Sequence, residues 1–239
     1  MVAVTIVDIV RSFLVFTAGF GIVIYAGMEL DARIRKKKGR KFESRFAGLV
    51  LSSTDTECAK NILLYPGSNK SSDIDIAFAT TKGNFCIECK HRKADIHGGE
   101  TFDTWASNVP VENPFDQNRV HMERLRSALQ DAGIPTRSSD YYNIFATNMD
   151  VRYRMFADEL STEYYNKVLK LPGQRAIMST STSEIKKSMA EYFHSLPDRL
   201  TKAQATEIND FLWDSIGTRD ELKEHARRVS LRAAGHTQF

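Results

Sequence analysis

The sequence predicts a mixed α/β domain preceded by one N-terminal transmembrane helix. Three observations predict it. An uncharged run of 17 residues, Ser12 to Met28, ends in a dense basic cluster. Two alternating apolar stretches flank a short Gly turn, and helix-capping signals surround them. At 42% hydrophobic, 26% charged and a mean hydropathy of −0.36, the composition excludes collagen, a disordered polyampholyte and a multi-span membrane protein. The 239 residues leave room for one domain of good size and a small appendage. Three cysteines, Cys58, Cys86 and Cys89, cannot build a disulfide framework and suit a reducing compartment.

The first element is the apolar run. Extending it back to Val2 adds only Asp8 and Arg11. A helix rises about 1.5 Å per residue and a bilayer core needs about 20 residues, so the segment 2–28 is long enough. The cluster Arg33 to Lys41 (RIRKKKGRK) follows directly, which is a positive-inside signal. The expectation is an anchor within 1–32, a basic juxtamembrane segment over 33–41, and a body in the cytoplasm. The host bilayer would be an inner or plasma membrane. A cleaved signal peptide would carry its positive charge before the run, with a small-x-small site after it. A buried core helix is the other alternative. The net charge of +3 then resolves into +7 over 33–45 and −2 over 1–32, leaving −2 for 46–239. The basic cluster suits anionic lipid, at about 1 kcal/mol per charge, and the body itself is not basic.

The body follows in order over 42–216. Phe42, Phe46, Leu49 and Val50 fall at helical spacing, with an extended stretch after them to residue 65. Pro66 to Asn69 is a turn. Ile74, Ile76 and Phe78 alternate with Asp75, Ala77 and Ala79. After Lys82-Gly83-Asn84, Phe85, Ile87 and Cys89 alternate with Cys86, Glu88 and Lys90. These two runs read as a hairpin. Residues 93–112 read as a loop. Asn113-Pro114 opens a helix that runs to about Asp131 and closes at Gly133 and Pro135. Tyr141 to Ala146 reads as a strand, and Gln174 to Met178 as another. Ser181-x-x-Glu184 and Thr201-x-x-Gln204 are capping boxes before two further helices. Residues 217–239 read as a charged helix or tail.

The residues that point to chemistry are Asp75, Glu88 and Lys90. Side chains two apart on a strand share a face, so Glu88 and Lys90 project together, and Asp75 lies on the partner strand. Two converging carboxylates repel, and a divalent cation with a preference for oxygen, Mg²⁺ or Mn²⁺, relieves this. A lysine beside such a cation can orient or deprotonate a water, or neutralise phosphate charge. The pattern suits metal-assisted phosphodiester hydrolysis. E-x-K is also common on exposed strands as a plain ion pair. Asp73 rivals Asp75, because both fall on the same side of an alternating strand; placement inside the apolar alternation favours Asp75.

In this pattern the sequence resembles the nuclease-related domain (NERD), a branch of the PD-(D/E)xK nuclease superfamily. The matching stretches are Gly39-Arg40-Lys41-Phe42-Glu43, then Ile74-Asp75, Gly83 and Ile87-Glu88-Cys89-Lys90, then Trp105 and Asn113-Pro114-Phe115-Asp116-Gln117. Phe42 stands where the family has a second glycine, and Ile74 where the superfamily's name has proline. The resemblance implies a restriction-endonuclease-like core, a mixed central sheet flanked by helices. It implies that Asp75 and Glu88 bind Mg²⁺ or Mn²⁺ and that Lys90 positions or activates the water. It implies that Glu43 assists at the metal or orients Lys90, and that Gln117 bonds near the water or phosphate. His121 and Arg124 share the helix face of Gln117 and are possible phosphate contacts, or simply a solvated face.

Other signals point elsewhere or nowhere. Cys86 and Cys89 lie three apart on a strand and so diverge, which makes them packing residues. Of six histidines, His91 and His97 flank the proposed site. No phosphate-loop, dinucleotide or G-x-S-x-G motif is present. The expectation is a membrane-anchored, metal-dependent endonuclease, acting on DNA. The alternative is a non-enzymatic, membrane-tethered module that binds nucleic acid or protein, with a structural acidic cluster.

Overall fold

The computed structural model describes the backbone of residues 6–90, 96–99, 104–106, 110–147, 151–154, 165–170 and 181–235. The chain divides into two compact units, 1–41 and 42–239. Helix α1 is Ile6–Thr54. In the first unit the described side chains from 25 to 38 are exposed. Two ion pairs at i,i+4 spacing, Glu29 with Arg33 and Asp31 with Arg35 at 3.1 Å, brace this polar stretch as such pairs do on a helix surface. Among the described residues no helix is long and apolar enough to cross a membrane. The side chains of residues 1–24 lie outside that description, and with them most of the expected anchor.

The second unit is built on a five-stranded sheet in the order β1-β2-β3-β7-β9. Strand β1 is Ala59–Leu64, β2 Ser72–Thr80 and β3 Gly83–Lys90. These three run antiparallel. Strands β7 (Tyr141–Thr147) and β9 (Tyr165–Lys170) join parallel to β3. Short strands β4 (Ile96–Gly99) and β8 (Val151–Arg154) pair with each other, as do β5 (Thr104–Trp105) and β6 (Val111–Glu112). The remaining helices are α2 (Pro114–Asp131), α3 (Ser181–Ser195), α4 (Lys202–Asp214) and α5 (Arg219–Gly235).

The hairpin β2–β3 forms as the alternation predicts. Its turn needs Gly83, whose φ is 142° and where a Cβ would lie 2.6 Å from the Asp140 carbonyl oxygen. The Thr81 carbonyl in that turn accepts N–H bonds from Arg199 and Leu200 at 2.7 and 3.0 Å. Parallel β3 and β7 require a crossover, and α2 lies within it. Asn113 caps α2 by accepting the Phe115 N–H at 3.0 Å, with Pro114 in the first turn. Thr201 and Gln204 form the predicted capping box on α4.

Helices cover both faces of the sheet. On one face Met122, Leu125 and Leu129 of α2 and Ala205, Ile208 and Leu212 of α4 pack on Ile62, Ala77 and Cys86. On the other, Phe42, Phe46 and Val50 of α1 and Met189 and Phe193 of α3 pack on Ile76, Phe78, Phe85, Ile87 and Tyr142. The architecture is mixed α/β, a mixed sheet between helices.

The structure corrects the sequence reading in three places. The stretch 93–112, expected as a loop, contributes β4, β5 and β6, each too short to leave an alternation signal. β8 and β9 have no counterpart in the reading, and the strand expected at 174–178 lies outside the described residues. Strict alternation on β2 also fails. Ile74 and Ala77, three apart, pack in the same core layer. The break falls at Asp75, opposite Asn61 in register, and Asn61 has a left-handed backbone with φ of 55°. Such an irregularity adds local twist and re-aims a side chain.

Candidate active site

Ile76 pairs with Ile87 across the hairpin, so the next step places Asp75 opposite Glu88. Asp75 Oδ2 accepts the backbone N–H of Cys89 at 2.8 Å. Burial is the first reason that its carboxyl is held well above the usual range, and the charge of Glu88 is the second; Glu43 on α1 pushes the same way. Asp73, the rival, turns out of this cluster. It is 54% exposed in its side chain and accepts from His225 Nε2 at 3.2 Å. The break in alternation separates the two aspartates.

Glu88 is the centre of the arrangement and is 3% exposed. Its Oε1 pairs with Lys90 Nζ. Lys90 Nζ also donates to Gln117 Oε1 at 2.9 Å. On the far side of Glu88, Oε2 lies 3.9 Å from His121 Nε2. His121 Nδ1 is hydrogen-bonded to the Ser72 hydroxyl. Burial pulls the His121 imidazole below its ordinary pKa, against the opposing pull of Glu88.

Residues 38–146 match the family model described as nuclease-related domain, NERD. Over these residues the chain is similar to the nuclease-related domain. The match contains the quoted motif residues from Gly39 to Gln117 and ends within β7. No curated protein and no solved structure matches the chain. The NERD assignment supports a nuclease-like function and, with it, contact with nucleic acid.

The structure brings Asp75, Glu88, Lys90, Gln117 and His121 of the NERD segment together, with Glu43 close enough to act on Asp75 electrostatically. Gln117 touches Lys90. Arg124 lies apart from this cluster, where its guanidinium donates to the Ser71 carbonyl at 2.9 Å. His121 and Arg124 are therefore not a solvated face. His121 is 7% exposed, and both fasten α2 to the start of β2. Cys86 and Cys89 diverge, Cys86 into one core layer and Cys89 against the other. His91 and the side chain of His97 lie outside the described residues.

Sequence reasoning missed the polar residues that hold α2 in place. Asn118 Nδ2 donates to the Cys86 carbonyl at 2.8 Å and to Asn143 Oδ1 at 2.9 Å. Asn143 Nδ2 donates to the Phe115 carbonyl at 2.9 Å. All of these groups are buried. They tie the first turns of α2 to β3 and β7, which fixes where Gln117 and His121 stand. The signal was available, since Asn118 falls on the apolar stripe Phe115, Met122, Leu125 at helical spacing. A buried asparagine there must find partners.

Proposed function

We propose that this protein is a membrane-anchored, metal-dependent endonuclease that hydrolyses phosphodiester bonds of DNA. The observation that carries the reading is the convergence of Asp75, Glu88 and Lys90 within a nuclease-related domain. Among the described residues no group of three or more His, Cys, Asp or Glu side chains is arranged to hold a metal ion. Mg²⁺, however, commonly binds through one or two carboxylates, with waters and substrate phosphate completing its shell. The donor set fits that pattern. Asp75 and Glu88 face each other, and Asp75 resists ionisation where no cation offsets its neighbours.

In this reading Asp75 and Glu88 hold Mg²⁺ or Mn²⁺, which supplies Lewis-acid stabilisation of charge at the phosphate. Lys90, ion-paired with Glu88, would share that carboxylate with the cation. Its ammonium group, still oriented by Gln117, then positions the attacking water or neutralises phosphate charge. Water adds to phosphorus and gives up a proton, the ester P–O bond breaks, and the leaving oxygen takes up a proton in exchange, so the step is proton-neutral. Glu43 adds negative charge on the α1 side of Asp75. The body from 46 to 239 carries a net −2, so positive charge for the nucleic-acid backbone must be local. DNA as substrate, the anchor through residues 2–28 and the cytoplasmic placement of the body belong to this proposal. The last two rest on the apolar run and the basic segment after it.

A cleavage panel tests it: plasmid, linear duplex, single strand and RNA, each with Mg²⁺ or Mn²⁺, for wild type, Lys90→Ala and Asp75→Ala. Lys90→Ala should lower the rate by about 10²–10⁴-fold, the range of a positioned proton-transfer group, with the far-UV spectrum retained. Absence of cleavage in every arm, or equal cleavage by the variants, would favour the non-enzymatic binding module. Resistance to extraction at high pH tests the anchor.

A further inference from the structure

We propose that His121, held by Ser72, is a positioning residue for Glu88: its Nε2–H fixes the Oε2 side of the carboxylate and leaves Oε1 available for a divalent cation. The inference rests on the reading of Asp75 and Glu88 as a cation-holding pair and adds a role for two side chains outside that pair.

Three observations carry it. First, His121 Nε2 is buried and, among the described residues, has no hydrogen-bond partner. A buried donor or acceptor left unsatisfied is destabilising, so its placement calls for a function. Second, the group it faces is Glu88 Oε2, at 3.9 Å. A shift of about 1 Å would bring this pair to ordinary hydrogen-bond length. Third, the other ring nitrogen is already engaged by the Ser72 hydroxyl.

The tautomer follows from these contacts. With the Ser72 O–H donating to Nδ1, the neutral ring carries its proton on Nε2 and presents a donor to the carboxylate. The opposite tautomer would place a lone pair against Oε2. In the present arrangement Lys90 grips Oε1. A cation held at Oε1 would compete with Lys90 for that oxygen, and His121 would then be the group that restrains the Oε2 side. Ser72 opens β2, and His121 is anchored through α2 by Asn118. The orienting donor therefore belongs to the same rigid frame as the ligand. Outer groups of this kind are worth about 10–100-fold in metal affinity or activity.

The test measures Mn²⁺ affinity of the full chain by titration calorimetry, with melting in chelator as the check on folding. The variants are His121→Ala, His121→Gln, Ser72→Ala and Glu88→Gln. His121→Ala should weaken Mn²⁺ binding by about 10–100-fold. His121→Gln, whose amide N–H can reach the same oxygen, should recover most of that loss. Ser72→Ala should weaken binding by a smaller factor, because it frees the ring without removing it. Should His121→Ala fail to fold, the Gln and Ser72 variants decide the matter. Wild-type affinity in both Ser72→Ala and a folded His121→Ala overturns the positioning role alone. A wild type that binds no more Mn²⁺ than Glu88→Gln overturns the cation reading itself.

Discussion

The two faces of the central sheet solve different problems. On the face covered by α1 and α3, Phe85 stacks between Phe78 and Tyr142, with centroids 4.7 and 4.8 Å away, and Phe193 meets it edge-on at 5.2 Å. Contact here is apolar packing. On the face covered by α2, the aliphatic core is interrupted by Asn118, Asn143, His121 and Glu88, all buried. Buried polar groups must be fully paired or they destabilise, and a carboxylate beside another carboxylate is a standing cost. The comparison teaches a division of labour. The aromatic face supplies stability that lets the other face hold groups arranged for chemistry.

Replacing Phe85 with alanine probes the first half of this comparison. It should cost about 3–5 kcal/mol in denaturant unfolding, the usual range for an aromatic truncated in a core. A loss below about 1.5 kcal/mol would mean that the aromatic face is not the main support.

Asn118→Ala probes the other side. It strips partners from Asn143 and from the Cys86 carbonyl, and should cost about 1–3 kcal/mol. It should also reduce cleavage by more than the stability loss accounts for, because Gln117 and His121 ride on the same turn. Full activity in a folded variant would detach the network from the site.

The smallest effect concerns Asp75 in chelator, and its sign is the informative part. The folded protein holds this carboxyl above its ordinary pKa of 3.8. The stability associated with protonated Asp75 is present below that value and is lost as pH rises through the raised pKa. Asp75→Asn does not titrate. The variant should match wild type in acid and become the more stable of the two toward neutral pH, with Mg²⁺ closing the gap for wild type only. Parallel stability curves across pH would remove the repulsion argument.

How much of this was legible in the sequence depends on period and on distance along the chain. The hairpin, the capped helix at Asn113, the strand over Tyr141–Ala146 and the Thr201 cap are local patterns, and each stands where it was read. Glu88 and Lys90 share a face for the same local reason. Asp75 was favoured over Asp73 for its place inside the apolar alternation, but the break that turns the two apart was not legible, because it falls opposite the left-handed Asn61 on the neighbouring strand. The burial of His121 was half legible, since the apolar stripe of α2 passes through it. Its partners Ser72 and Glu88 are 49 and 33 residues away. The short strands between β3 and α2 carry too few residues for a period of two to declare itself.

The α4 helix carries a consequence for where this protein can be cut. Every residue assigned to the site lies between 43 and 124, inside the stretch 38–146 that the family match covers. The sheet face beneath that site is sealed from outside this stretch, by Ala205, Ile208 and Leu212. The hairpin turn is held by Arg199 and Leu200, and Asn209 brackets Ala79 with two hydrogen bonds at 2.8 and 2.9 Å. The stretch that the family match covers and the stretch that builds the core are therefore different lengths of chain. A fragment ending at 146 would keep every reactive group yet lose the α3 and α4 residues that pack on both faces of the sheet. It should melt without a cooperative transition, whereas one extending past Asp214 should melt as a single domain. During synthesis the whole motif leaves the ribosome well before the chain that seals it, so the site takes shape late, when the last third arrives.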